Sequence, residues 1–213
     1  MTRIALIHAL AHSVAPINDA LARDWPACRR MNLLDDSLSA DLAAGGALDA
    51  AMTARFIALA DYAVGTGADA LLFTCSAFGP CIEAAARRHA DRPVLKPNEA
   101  MIDDAVASGA RIGLVATFAP TLRSMPAEFP AGVALDVELA EGALAALDRG
   151  DTAGHDEAIA ESADRLAQRG AGLIALAQFS MARARASVES RSGLPVLTTV
   201  DSAVRALRRR LAA

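Results

Sequence analysis

The chain has 213 residues, of which 54% are hydrophobic, and a formal net charge of −4, enough apolar material for one large domain or two small ones and too much for a disordered chain. Charge is not gathered into long runs of one sign, which argues against a nucleic-acid footprint or a polybasic membrane patch. Aromatic residues make up only 4%, leaving little for stacking on bases or sugars. The basic group Arg205, Arg208, Arg209 and Arg210 reads as cations closing a C-terminal helix, where they complement its dipole. Cys28, Cys75 and Cys81 are odd in number and match no zinc or redox spacing, so free thiols in a reducing cytoplasm are expected, with no metal.

In chain order, the opening MTRIALIHALAHSVAP looks superficially like a secretion signal. His8 and His12 interrupt its apolar run, and residues 3–9 read better as a first strand. A helix is expected at 16–23, a second strand at 31–34, and a polar turn at Asp35 and Asp36. From Ala47, the positions Met52, Phe56, Leu59, Ala60 and Ala63 recur at helical spacing until Gly65 and Gly67 end the helix. No run approaches the roughly 18 apolar residues of a membrane helix.

The stretch GADALLFTCSAFGP, Gly67 to Pro80, carries the chemistry. Ala70 to Thr74 is apolar without alternation, as in a strand of a parallel sheet buried on both faces. Cys75 then falls at the strand's exit, ahead of a turn and of Pro80, which suits the first turn of a helix over 80–89. A thiol at the carboxyl end of such a strand, facing a helix N-terminus, is placed to act as acid, base or nucleophile, and a lowered pKa is expected for it. A short strand at 93–95 and a helix from Asn98 to about Ser108 close this half.

The second half echoes the first. RIALIHA at Arg3 returns as RIGLVAT at Arg111, GADALLFTCSA at Gly67 as GAGLIALAQFS at Gly170, and PVLKPNEAMIDDAV at Pro93 as PVLTTVDSAVRAL at Pro195. Three echoes in one order and at nearly constant separation indicate two similar lobes. Helices are expected at 156–168, with Ile159, Ala163 and Leu166 inward, at 181–192 and at 201–212. The expected fold is α/β: two pseudo-symmetric lobes, each a mainly parallel sheet flanked by helices, with a cleft between them. The first lobe takes 1–97 plus 197–213 and carries Cys75; the second takes 98–196 and carries Gln178. The two residues are expected to face each other across the cleft.

The two-lobed repeat, TCSAFG at Thr74, GLVATFAPT at Gly113 and the closing PVLTTVDSA together resemble the aspartate/glutamate racemase superfamily, which includes hydantoin racemases, maleate isomerases and arylmalonate decarboxylases. The resemblance spans nearly the whole chain. It implies chemistry without a cofactor on a small carboxylic acid or amino acid, with one cysteine from each lobe flanking the reacting carbon.

The sequence departs from that pattern at Gln178, which the repeat puts in the place of the second cysteine. Racemisation needs a second proton-transfer group on the opposite face, and an amide cannot serve. A single thiol still suffices for protonating a carbanion after decarboxylation, or for adding to a double bond in cis/trans isomerisation. Cys75 is therefore the catalytic candidate. His8, Ser13, Ser76, Ala77, Thr117, Phe118, Gln178, Phe179 and Ser180 lie at strand exits, where N–H groups and hydroxyls can hold a carboxylate. The expected partner is a small carboxylate, with no nucleic acid and no membrane, and with homo-oligomerisation left open. The alternative is a binding protein that keeps the family cleft without catalysis.

Overall fold

The computed structural model describes residues 1–212 and divides into two compact units, Met1–Glu99 with the residues from Ala203 on, and Ala100–Ser202. In the first unit, β1 (Arg3–His8), β2 (Arg29–Leu34), β3 (Ala70–Phe73) and β4 (Val94–Leu95) form a parallel sheet in the order β2-β1-β3-β4. Every residue of β3 and five of the six in β1 are buried, which is what a strand covered on both faces requires. Strand β2, at the sheet edge, alternates between exposed and half-buried positions.

Helices α1 (Val14–Asp24), α2 (Ser37–Ala43), α3 (Ala50–Gly65) and α4 (Gly79–Arg88) complete the order of this unit. Helix α3 starts at Asp49, whose carboxylate accepts the Met52 N–H at 2.8 Å. After it the chain reverses through Gly67 at φ +83°, a conformation that suits glycine because it has no Cβ. Phe56 of α3 packs against Phe73 at 5.5 Å and against Phe78 at 4.9 Å between ring centroids, fixing the end of β3 and the turn that follows.

The second unit repeats the plan. After α5 (Glu99–Ala107) come β5 (Ile112–Ala116), α6 (Ala119–Ser124), β6 (Leu135–Leu139), α7 (Ala143–Asp148), α8 (Thr152–Gln168), β7 (Leu173–Leu176), α9 (Arg185–Ser192) and β8 (Val196–Thr198). The strands lie parallel in the order β6-β5-β7-β8, strand for strand the order of the first sheet. Ile159, Ala163 and Leu166 of α8 pack with Val115, Ile174 and Leu176 on one face, while Met101, Ile102 and Ala105 of α5 cover Leu114, Leu173 and Ala175 on the other. A Cβ on Gly113 would stand 3.0 Å from both Leu166 Cβ and Ile174 Cδ1, so this glycine lets α8 approach β5. The final helix, α10 (Thr199–Ala212), leaves the second unit at Ser202, and its remainder belongs to the first.

The expected strands and long helices are present, with three local corrections. The turn at Asp35 and Asp36 runs directly into α2, whose Leu38 and Leu42 are buried at a four-residue spacing. The helix expected at 181–192 begins at Arg185, after a 3-10 segment over Phe179–Ala184; α4 has Pro80 in its first turn to preset a helical φ, and the second turn has none. Helix α10 starts at Thr199, two residues before the expected position, behind the Thr198 hydroxyl that accepts the Asp201 N–H at 3.1 Å.

Candidate active site

The two sheets end in equivalent ways. In the first unit the Thr74 N–H donates to the Ile7 carbonyl at 3.0 Å, and in the second the Ala177 N–H donates to the Val115 carbonyl at 2.9 Å. Ile7 pairs with Phe73 as Val115 pairs with Leu176. The next residue is Cys75 in one unit and Gln178 in the other, so their correspondence holds in backbone geometry as well as in sequence.

Cys75 is extended, at φ −117° and ψ 117°, and leads a 3-10 turn over Ser76–Phe78. It is half-buried, whereas Cys28 and Cys81 are buried. Its sulfur lies 3.8 Å from the Ser39 hydroxyl of α2 and also takes the Ala77 N–H. The expected lowering of its pKa is not found: desolvation pushes the thiol up, and the Ala77 N–H and Ser39 hydroxyl offset this only in part. Among the described residues no Lys, Arg or His contributes to its titration, and without a cation the loss of solvent decides the direction.

Helix α2 is itself held in place. Arg55 of α3 binds Asp35 at 2.8 Å and Asp41 at 2.7 Å and donates to the Ser37 hydroxyl, while the Asp35 N–H donates to the His8 carbonyl at 3.0 Å. Burial works against the Asp35 carboxylate, but its bonds from Ser37 and Arg55 hold its pKa below the ordinary value.

A polar chain runs from Thr74, the residue before Cys75, through buried His8 to exposed Asn32 and half-buried Asn18. His8 is fully buried, with Nδ1 2.8 Å from the Thr74 hydroxyl and Nε2 3.0 Å from Asn32 Oδ1. Asn18 Nδ2 also donates to Asn32 Oδ1, at 2.8 Å, which orients that oxygen as an acceptor. His8 therefore carries its proton on Nε2 and accepts the Thr74 O–H at Nδ1. Desolvation lowers its pKa against the opposing bond to Asn32, so the ring is neutral and both nitrogens are occupied. The corresponding pair in the second unit is Ala116 and Ala177: the thiol's unit alone carries this polar support.

In the second unit, Gln178 Oε1 accepts the Thr117 N–H at 2.6 Å and its hydroxyl at 3.3 Å. Thr117 and Gln178 are both buried, and Phe118 is half-buried at the start of α6. Phe179 and Ser180 are buried in the following 3-10 turn, the Ser180 hydroxyl having no hydrogen-bond partner. Ser13, in the short turn before α1, and Ser76 and Ala77, in the turn after Cys75, are also buried. Each unit thus gathers its own predicted residues at the carboxyl ends of its central strands, where open α/β sheets bind ligands.

Ser39, Asn32 and the side chain of Thr74 were not singled out by the sequence. Ser39 sits on a short helix hidden by its turn-like composition, and Asn32 on a polar edge strand. Thr74 stands beside the cysteine, but its bond to His8 spans distant sequence. Among the described residues, no group of three or more His, Cys, Asp or Glu is placed to hold a metal ion, and no helix is long and apolar enough to cross a membrane.

The paired four-strand parallel sheets with helices on both faces define a racemase-like, two-lobed α/β fold. The chain belongs to the Asp/Glu/Hydantoin racemase family, whose family model matches residues 11–207. Among solved structures, allantoin racemase from Klebsiella pneumoniae is 20% identical and superposes with a TM-score of 0.76, covering 100% of this chain and 88% of that one. Glutamate racemase from Francisella tularensis, in complex with D-glutamate, gives 0.77 at 11% identity, covering 99% and 80%. Unliganded arylmalonate decarboxylase gives 0.62 at 15% identity, covering 99% and 93%. At these identities the likeness establishes the fold. No curated protein matches the chain in sequence.

Proposed function

We propose that the protein is an enzyme that works without a cofactor on a small carboxylic acid or amino acid, using Cys75 as its one proton-transferring thiol. The observation that carries this reading is the asymmetry between the two strand exits. One presents a half-buried thiol next in sequence to the His8-bonded Thr74; the other presents an amide whose oxygen is committed to Thr117. A carboxamide neither removes nor returns a proton at neutral pH, so two-base racemisation lacks its second group.

The raised thiol pKa favours a protonated resting state and hence an acid. In the decarboxylase-like version, the substrate loses carbon dioxide, the electron pair of the broken bond stays on carbon, and the Cys75 proton is delivered to that carbon. The thiolate left behind is stabilised by the Ala77 N–H and the Ser39 hydroxyl, and is reprotonated from solvent. The isomerase-like version, thiolate addition to a double bond, requires the proton to leave first, which desolvation opposes.

The test is a panel of aspartate, glutamate, allantoin, substituted malonates and maleate, followed for optical rotation, carbon dioxide release and isomerisation with the wild-type chain and with Cys75→Ala. Decarboxylation or isomerisation of one member, lost in Cys75→Ala, supports the reading, whereas racemisation of one would show a second proton-transfer group and contradict it. Binding of a panel member without turnover would favour a protein that holds carboxylates without transforming them.

A further inference from the structure

The exit of β5 releases a backbone donor, the Thr117 N–H, at the place where a parallel ladder stops. In the first unit the equivalent N–H belongs to Ala9, and the corresponding side chain, Cys75, has no oxygen to accept it. In the second unit Gln178 accepts it at 2.6 Å, and Oε1 takes the Thr117 hydroxyl as well. That commits the acceptor half of the amide and fixes which way the group points. Nε2 is left with two N–H donors that bond to no protein group among the described residues, yet it is not among the sealed, unpartnered atoms. Two residues further along the same turn, the Ser180 hydroxyl is buried without a partner.

We propose that Gln178 is a specificity-determining residue that converts the Thr117 N–H into an outward donor pair, selecting a ligand group that only accepts hydrogen bonds: a carboxylate or a ring carbonyl. The inference rests on reading the strand exits as ligand-binding. Gln178 then serves binding rather than proton transfer. An amide held through its oxygen cannot turn to accept from a ligand N–H, so an ammonium or amide N–H at this place is disfavoured.

The test separates this role from that of Cys75. In the Cys75→Ala chain, where proton transfer through the thiol is removed, binding of succinate and of 5-methylhydantoin is measured by titration calorimetry. The same titrations are run with Gln178→Met or Gln178→Glu added. Glutamate keeps an oxygen for the Thr117 N–H but replaces the donors with a second, charged acceptor; methionine removes both halves at similar volume. Circular dichroism establishes that each variant folds.

The expected result is a loss of roughly tenfold or more in succinate affinity for Gln178→Glu, with a smaller loss for Gln178→Met because the Thr117 N–H becomes free. A loss confined to succinate assigns a carboxylate, and one confined to 5-methylhydantoin assigns a carbonyl. Unchanged affinity in both variants for every probe that binds would overturn the proposal, as would failure of both probes to bind the parent chain. None of these outcomes depends on whether Cys75 is the acid.

Discussion

Thr74→Val probes the polar chain of Thr74, His8 and Asn32 with almost no change in shape. The hydroxyl it removes is buried and lies 2.8 Å from His8 Nδ1. Desolvation keeps the ring neutral and its Nε2 proton remains on the bond to Asn32 at 3.0 Å, so Nδ1 becomes a buried acceptor without a donor. Leaving such a group unsatisfied costs about 1–3 kcal/mol. For a chain of this size each kcal/mol corresponds to about 2–4 °C in Tm, giving a fall of roughly 2–12 °C. At neutral pH, urea unfolding followed by far-UV circular dichroism measures the free-energy penalty, and a thermal scan measures the fall in Tm. The same substitution in a His8→Leu background should be nearly neutral, because both partners are then apolar and nothing is left unpaired. A penalty within about 0.5 kcal/mol of zero, or an equal penalty in both backgrounds, would refute the His8–Thr74 bond as a structural element.

Phe78 is fully buried against Phe56, and Phe78→Ala should cost about 3–5 kcal/mol in unfolding experiments, with Phe78→Leu costing less. Because the folded-state pKa of His8 is lowered from 6.5 by desolvation, its contribution to stability is present above that value. It is lost as pH falls from there toward the folded pKa, as the unfolded chain takes up the proton first; His8→Leu should flatten that part of the urea-midpoint profile. With limiting iodoacetamide and peptide mapping, Cys75 should be alkylated before Cys28 and Cys81, which are buried. Its rate at neutral pH should nevertheless fall below that of a free cysteine, because its thiol is pushed up; faster labelling of Cys28 or Cys81 would count against Cys75 as the active thiol.

The parallel sheets were legible in the sequence because their central strands are short apolar runs between glycines, a pattern that buried parallel strands share. The repeat added the correspondence of Cys75 with Gln178, which the backbone hydrogen bonds at the strand exits reproduce. What stayed hidden depends on distance or on competition between effects. Helix α2 is seven residues long and opens with turn-forming residues, so local composition pointed to a loop while Leu38, Leu42 and the Arg55 bridges decided for a helix. The direction of the Cys75 pKa was misjudged because sequence shows the following helix but not the burial of the sulfur. The grip of Gln178 on Thr117 joins residues 61 positions apart, and no local spacing announces it.

The central claim is that Cys75 alone transfers the proton. Its most direct test is turnover of the substrate panel in deuterium oxide, with the position and configuration of the incorporated deuterium read by NMR and chiral chromatography. The account predicts product carrying one solvent deuteron on a single face of the reacting carbon, with activity falling by at least roughly 100-fold in Cys75→Ala. Equal labelling of both enantiomers, or turnover that survives Cys75→Ala, would contradict it.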